Sequence, residues 1–251
     1  VSEEEEKPPK VIVVMPAMNA VRTLERTVAA IPADFVAETI VVDDGSTDGT
    51  VALARTLPIS VVWHPHNAGY GANQKTCYLE ALQRNADVVV MLHPDGQYDP
   101  ELIPALCAPI IAGQADLVLG SRFASPGMAR EHGMPGWKYV VNRSLTVIEN
   151  AMMGTALTEA HTGYRAYSRH FLLTVPFLRN ADDFSFDSEI LMQAAAFDLR
   201  TVEVPASGRY LADSSSVGVR AGIPYGLKTL WAGVRLVLDR HHLLASRKFR
   251  P

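Results

Sequence analysis

The sequence predicts an α/β fold built on a mainly parallel central sheet flanked by helices, and three observations predict it. Short apolar runs rich in Val and Ile recur at residues 11–15, 39–42, 59–63 and 88–92. Runs this short and this rich in β-branched residues suit strands buried on both faces of a sheet. Each run stops at polar residues and turn formers, beginning with Pro16-Ala17-Met18-Asn19 after the first. Between the runs lie stretches with helical spacing, such as Leu24, Val28 and Ile31 before Pro32, and a segment from about Asn73 to Gln83. Strand and helix in alternation argue βαβ units, and open parallel sheets bind ligands beyond the carboxyl ends of their strands.

Composition bounds the rest. A chain of 251 residues, 48% hydrophobic and 20% charged, has ample core for one large domain. Its net charge of −4 gives no electrostatic case for nucleic acid as a partner. Cys77 and Cys107 lie in helical-looking patterns without metal-ligand spacing, which suits core thiols in a reducing, cytoplasmic compartment. No run approaches the ~18–20 apolar residues of a transmembrane helix. The expected organisation is a disordered acidic leader over 1–9, a domain over 10–210, and a C-terminal loop with an amphipathic helix over 211–251.

The run at 88–92 ends at His93-Pro94-Asp95-Gly96-Gln97. Imidazole, carboxylate and carboxamide there can anchor Mg²⁺ or Mn²⁺ carrying a diphosphate, although Pro, Asp and Gly also form ordinary turns. Asp43 and Asp44 close the second run, and Thr47 or Asp48 can cap the helix that follows. The two carboxylates either hold that turn or accept hydrogen bonds from a nucleobase N–H or a ribose hydroxyl. The loop at 64–73 contains Gly69 and Gly71 but matches neither Walker A nor GxGxxG. Neither a P-loop kinase nor a dinucleotide-binding dehydrogenase is supported.

In the second half, a strand at 116–120 delivers Ser121-Arg122-Phe123 to the same edge. Arg122 is either a structural ion-pair partner or a bidentate phosphate ligand, and the second reading is favoured in a phosphate-handling site. Pro126, Gly127, Gly133, Pro135 and Gly136 suggest a mobile loop over the site. A helix over 138–153 is expected with Val140, Val141, Leu145, Ile148 and Met152 inward, and Asn142 and Arg143 toward the site or solvent. The acidic run at 182–189 opens another helix. Asp187 or Glu189 can serve there as general base for an alcohol acceptor, whereas a phosphate acceptor is already ionised and needs none. The segment 223–244 reads as a helix with Leu227, Leu230, Trp231, Val234, Val237 and Leu238 on one broad face. Lys228, Arg235 and Asp239 are expected opposite. Packing on its own domain is the ordinary reading. A basic amphipathic helix lying on a membrane, with Arg247, Lys248 and Arg250 beyond it, is the sharper one.

The segments VIVVMPAMN, VVDDGSTDGT, NAGYGANQK, HPDGQYDPE and LVLGSRF, in this order, resemble the motifs of family 2 glycosyltransferases. The resemblance is to the dolichyl-phosphate mannose synthase and polyprenyl-phosphate glycosyltransferase branch, from about residue 11 to about residue 210. It implies a Rossmann-like GT-A fold, here a single domain with a C-terminal helical tail. It also implies inverting transfer of a hexose from a GDP- or UDP-linked donor to a polyprenyl phosphate, with a divalent metal. By resemblance Pro16, Met18 and Asp44, with Asp43 beside it, line the nucleotide pocket. His93, Asp95 and Gln97 take the metal–diphosphate positions. The family's Asp-x-Asp is His93-Pro94-Asp95 here, which weakens a hard-cation site while imidazole still suits Mn²⁺. The stretch from Glu159 to Arg165 resembles the Asp-x-Thr-Ser-Gly-Phe-Arg segment that receives the acceptor phosphate. Ser121, Arg122, His161, Thr162 and Arg165 are therefore the expected acceptor side. Glu203-Val204-Pro205 resembles the family's Glu-Val-Pro strand, followed by Arg209 on the donor diphosphate. The expected catalytic residues are Asp95, Arg122, and Asp187 or Glu189. Two rivals remain: the same donor chemistry on a soluble hydroxyl acceptor, such as a glycan or small metabolite, and a nucleotide-sugar-binding protein without turnover.

Overall fold

The structure, a computed structural model, describes residues 8–125, 133–208 and 219–250. Most of the expected acidic leader, the centre of the expected mobile loop including Pro126 and Gly127, and Arg209 lie outside the described residues.

One seven-stranded sheet forms the centre, in the order β3-β2-β1-β4-β6-β5-β7. Its strands are β1 (Val11–Ala17), β2 (Glu38–Asp43), β3 (Ser60–Trp63), β4 (Val88–Met91), β5 (Leu117–Ser121), β6 (Arg165–Ser168) and β7 (Thr201–Pro205). All pairings are parallel except those of β6, which runs antiparallel to both β4 and β5. The helices are α1 (Leu24–Ala29), α2 (Thr50–Ala54), α3 (Tyr70–Gln83), α4 (Ile103–Ile111), α5 (Gly136–Met153), α6 (Arg169–Thr174), α7 (Phe186–Ala196) and α8 (Val219–Arg240).

The apolar runs behave as a doubly covered sheet requires. Ile12, Val14, Ile40, Val42, Val89 and Met91 pack in one layer with Cys77 and Tyr78 of α3 and Ile190 of α7. Their neighbours Val11, Val13, Met15, Val41, Val88 and Val90 pack in the other with Leu24 of α1 and Leu106 and Cys107 of α4. Alternate residues thus point to opposite layers, and each fully buried side chain of this size contributes about 1.5–3 kcal/mol. Both thiols are free and buried, and burial pushes that of Cys107 up to about 12.

Helix α3 begins at Tyr70, three residues before the expected start, because Gly69 at φ 106° turns the chain into it. Strand β6 has no apolar run, which is why it reads poorly in sequence: all four of its residues are buried, yet they are Arg, Ala, Tyr and Ser.

Helix α5 is turned around relative to expectation, and of the two readings of α8 the one that packs its whole apolar stripe on the domain does not hold at Leu227 and Trp231. Val140, Val141 and Ile148 are 60%, 49% and 40% exposed, while Thr146, Glu149 and Met153 face inward. On α8, Leu227 and Trp231 are exposed, and Thr229, Ala232, Leu236 and Asp239 are buried. The reason is polar. Glu149 pairs with His161, Thr229 Oγ1 donates to Ser188, and Asp239 accepts from Ser246 N and Arg250 Nε. Partners that only the interior supplies outweigh the apolar stripes.

The Gly69–Gly71 turn is fixed by close backbone approach. Gly71 N–H donates to Asp182 O at 2.8 Å, and a Cβ on Gly71 would lie 2.2 Å from Ala181 O. Gly71→Ala is therefore expected to lower unfolding free energy by about 2 kcal/mol or more in urea titration. Gly136→Ala, where a Cβ meets nothing within 4 Å, is the control that should leave the midpoint in place.

Candidate active site

The strand order reverses at β1, with β2 and β3 on one side and β4 on the other, so the crevice beyond the carboxyl ends of β1 and β4 is the natural ligand site. Register places Ala17 beside Asp43 at this edge. Pro16 is buried and Met18 is 45% exposed at the rim. The loops after β1 and β2 clasp each other: Asn19 N–H donates to Ser46 Oγ at 2.8 Å, and Thr47 N–H donates to Asn19 Oδ1 at 3.0 Å. Asp48, not Thr47, meets the start of α2, its Oδ1 accepting from Thr50 N at 3.0 Å.

The two adjacent carboxylates divide their work. Asp44 accepts from Ala68 N (2.8 Å), Gly69 N (3.0 Å) and His64 Nδ1 (2.7 Å), so it holds the glycine loop. Three donors from one loop thus surround it, at the edge where the nucleotide pocket is expected. Asp43 accepts from Ser46 N at 2.9 Å through Oδ2, and its buried Oδ1 has no hydrogen-bond partner among the described residues.

Beyond β4, His93 stacks on Tyr70 with ring centroids 5.7 Å apart, and its Nε2 lies 3.3 Å from the Tyr70 hydroxyl. The chain at Gly163 packs on the same imidazole so tightly that a Cβ would sit 2.8 Å from Nε2. Asp95 Oδ1 accepts from Gln97 N at 3.0 Å, and Gln97 is buried. Among the described residues no three His, Cys, Asp or Glu side chains gather as a metal centre. One carboxylate and one imidazole at the strand end fit a cation shared with a diphosphate, rather than one held by protein alone.

Asp187, at the start of α7, closes the other side. Its Oδ2 accepts from Tyr70 Oη at 2.7 Å, its Oδ1 accepts from Gln74 Nε2 at 3.0 Å, and Arg165 Nη1 lies 3.8 Å away. Burial, reinforced by Asp187, raises the Tyr70 hydroxyl well above its usual range, so it stays a donor. Tyr70 and Gln74, one helical turn apart on α3, were missed in sequence. Their place in the NAGYGANQ loop-to-helix turn was the available signal.

The residues expected on the acceptor side are largely buried and bonded to one another. Ser121 is fully buried, its Oγ 2.7 Å from Thr158 Oγ1. Arg122 donates through N and Nε to Glu159 at 2.8 and 2.9 Å, and through Nη2 to Glu159 and the His161 carbonyl. Of the two readings offered for Arg122, the ion pair is the one observed. Thr162 is buried and donates to Gly120 O at 2.7 Å, away from solvent. Arg165 is buried completely, donating to the carbonyls of Thr162, Asp187 and Ala160. Glu189 accepts from Ala181 N at 2.7 Å and pairs with Lys248.

His161 also turns inward. Its Nδ1 lies 2.8 Å from Tyr225 Oη of α8 and its Nε2 2.8 Å from Glu149 of α5, an ion pair by distance although off the line of a hydrogen bond. Burial alone would lower its pKa, but Tyr225 and Glu149 reverse this and push it up to about 10. Neither nitrogen is left for an acceptor.

Residues 12–174 match the profile of glycosyl transferase family 2, and the chain belongs to that family; it is a glycosyltransferase, not a binding protein without turnover. It is similar to the undecaprenyl-phosphate mannosyltransferase of Micrococcus luteus, 28% identical over 242 residues, 90% of this chain and 98% of that one. It is also similar to the UDP-N-acetylglucosamine–dolichyl-phosphate N-acetylglucosaminyltransferase of Methanococcus voltae, 27% identical over 232 residues, 86% of this chain and 92% of that one. Among solved structures, it superposes on glucosyl-3-phosphoglycerate synthase from Mycobacterium tuberculosis in complex with Mn²⁺, UDP and glucosyl-3-phosphoglycerate. The TM-score is 0.63 at 22% identity, covering 95% of this chain and 82% of that one, and establishes the GT-A fold.

A histidine whose pKa is higher folded than unfolded stabilises the fold fully below its ordinary 6.5 and loses that contribution as pH rises toward 10. In guanidinium unfolding, the stability difference between wild type and Glu149→Gln is expected to be largest below pH 6.5 and to shrink steadily up to pH 10.

Proposed function

We propose that this glycosyltransferase inverts the anomeric centre while moving a hexose from a UDP- or GDP-linked donor to a polyprenyl phosphate at the cytoplasmic face of a membrane. The observation that carries the reading is the convergence of three strand ends on one crevice. Met18 and Asp43 border it on the β1–β2 side, His93 and Asp95 on the β4 side, and Asp187 with Tyr70 across from them. Asp43, with an oxygen left unpartnered, is the carboxylate suited to accept from a base or ribose of the donor. The lipid-phosphate acceptors named for two relatives spanning most of this chain support the acceptor class.

Asp95 and His93, assisted by Gln97, would hold the divalent cation, which when bound neutralises charge on the departing diphosphate. Arg122 is committed to Glu159, so among the expected cations the leaving group falls to Arg209, outside the described residues. No base is required if the nucleophile is a phosphate oxygen. That suits Asp187, whose two oxygens already accept from Tyr70 and Gln74 and so hold the Tyr70–His93 pair in place. A soluble acceptor is the second reading, favoured by the likeness to a synthase solved with glucosyl-3-phosphoglycerate.

Calorimetric titration with UDP and with GDP, each in Mn²⁺ and in EDTA, is expected to give metal-dependent binding of one nucleotide. Asp95→Asn should remove the metal-dependent part of that affinity and lower transfer on the order of 100-fold. Transfer of radiolabelled sugar should appear in the organic phase with detergent-dispersed polyprenyl phosphate. Label found only in water-soluble products such as glucosylated phosphoglycerate would move the assignment to a soluble acceptor.

A further inference from the structure

More than half of the exposed large apolar side chains among the described residues lie on α5, α8 and the few residues after α8. On α5, Trp137, Val140 and Val147 are 49%, 60% and 61% exposed and recur at helical spacing on one face. On α8, Leu227, Trp231 and Val234 are 65%, 58% and 38% exposed, again on one face. The stripes adjoin. Met152, one turn beyond Ile148, meets α8 at Gly233, where a Cβ would lie 2.1 Å from its Sδ, and Gly233 precedes Val234. Monomeric proteins rarely leave contiguous apolar surface of this extent without a partner.

We propose that α5 and α8 together form a docking platform for an anionic lipid surface. Charge selects this occupant. Residues 224–250 carry six Lys or Arg. Lys228, Lys248 and Arg250 pair with Asp183, Glu189 and Asp239, whereas Arg235, Arg240 and Arg247 have no acidic partner among the described residues. Arg235 is bonded to Ser246 Oγ, and Arg240 to the carbonyls of Met152, Met153 and Ala195, so both cations meet neutral partners there. A second copy would bring the same positive charge against itself, whereas anionic headgroups complement it. Tryptophan beside a basic rim is the pattern of a helix lying in the headgroup region. No helix among the described residues is long and apolar enough to cross a membrane, so contact through these helices is contact with a surface.

The inner faces of the same helices reach the site. Glu149 of α5 holds His161, and Tyr225 of α8 holds His161 and lies 3.4 Å from Ser188, the neighbour of Asp187. Docking would therefore present the crevice to a phosphate carried in the bilayer. This link rests on the lipid-phosphate reading of function; the platform itself does not.

The test is flotation of the full chain with phosphatidylcholine vesicles, with and without phosphatidylglycerol, alongside the exposed-site variants Val140→Glu, Val147→Glu and Trp231→Glu. Wild type should float with the phosphatidylglycerol vesicles and release at high salt. Each variant should bind about tenfold more weakly while keeping wild-type thermal stability and nucleotide affinity. Wild type that stays with neither vesicle, or floats equally well after substitution, overturns the platform. So does a dimer by light scattering that Val140→Glu dissociates. Transfer to detergent-dispersed polyprenyl phosphate separates the two ideas. If wild type floats but glycosylates only soluble acceptors, the acceptor assignment fails and the platform stands. If it glycosylates the lipid but never floats, the platform fails alone.

Discussion

A buried arginine sets the geometry of this molecule. Arg165 opens β6 with no solvent exposure, and its guanidinium is satisfied by three carbonyls, those of Thr162, Ala160 and Asp187. Asp187 also supplies the nearest balancing carboxylate, 3.8 Å away. An unpaired charge at such depth costs several kcal/mol, so the loop before β6 and the start of α7 are obliged to meet around it. Once Asp187 is placed, Tyr70 and Gln74 of α3 are bound to it and His93 stacks on Tyr70. One desolvated cation thus connects the antiparallel strand, two helices and the carboxyl end of β4.

The same economy extends around the expected acceptor side. Glu159 meets Arg122 and Asn142, Glu203 meets Thr158 and the backbone of Glu159, and Glu149 meets His161. Each carboxylate is buried or half-buried and each has a defined partner, which makes the region a rigid frame rather than a set of free ligands. The frame also explains how α5 and α8 are turned. Holding Glu149 and Thr229 inside turns the valines and tryptophans of α5 and α8 to the outside, where they become available to a partner surface.

How far the site could be read in advance depended on the kind of information involved. The strands of β1, β2 and β4 and the residues at their ends were legible because apolar runs and their abrupt stops are local features. The identity of Asp95 and His93 as the residues at the β4 edge needed nothing more. The buried partners of Ser121, Arg122, Thr162 and Arg165 were not legible. A hydroxyl or a guanidinium reads the same in sequence whether it faces a ligand or a buried carboxylate. The direction of α5 was misread, and that of α8 left open between two readings, for a related reason: periodicity locates an amphipathic stripe but not the side on which the polar partners wait.

The sequence by itself determined an α/β sheet with parallel crossings, the edge on which chemistry would sit, and membership of a glycosyltransferase family, since these follow from short-range pattern and ordered motifs. Tertiary structure alone decided that Asp44 holds a loop while Asp43 keeps an unpartnered oxygen, that β6 exists, and that Arg165 is a scaffold cation. Those outcomes depend on which groups, distant along the chain, are brought together out of water, where a charge or a donor must find a partner.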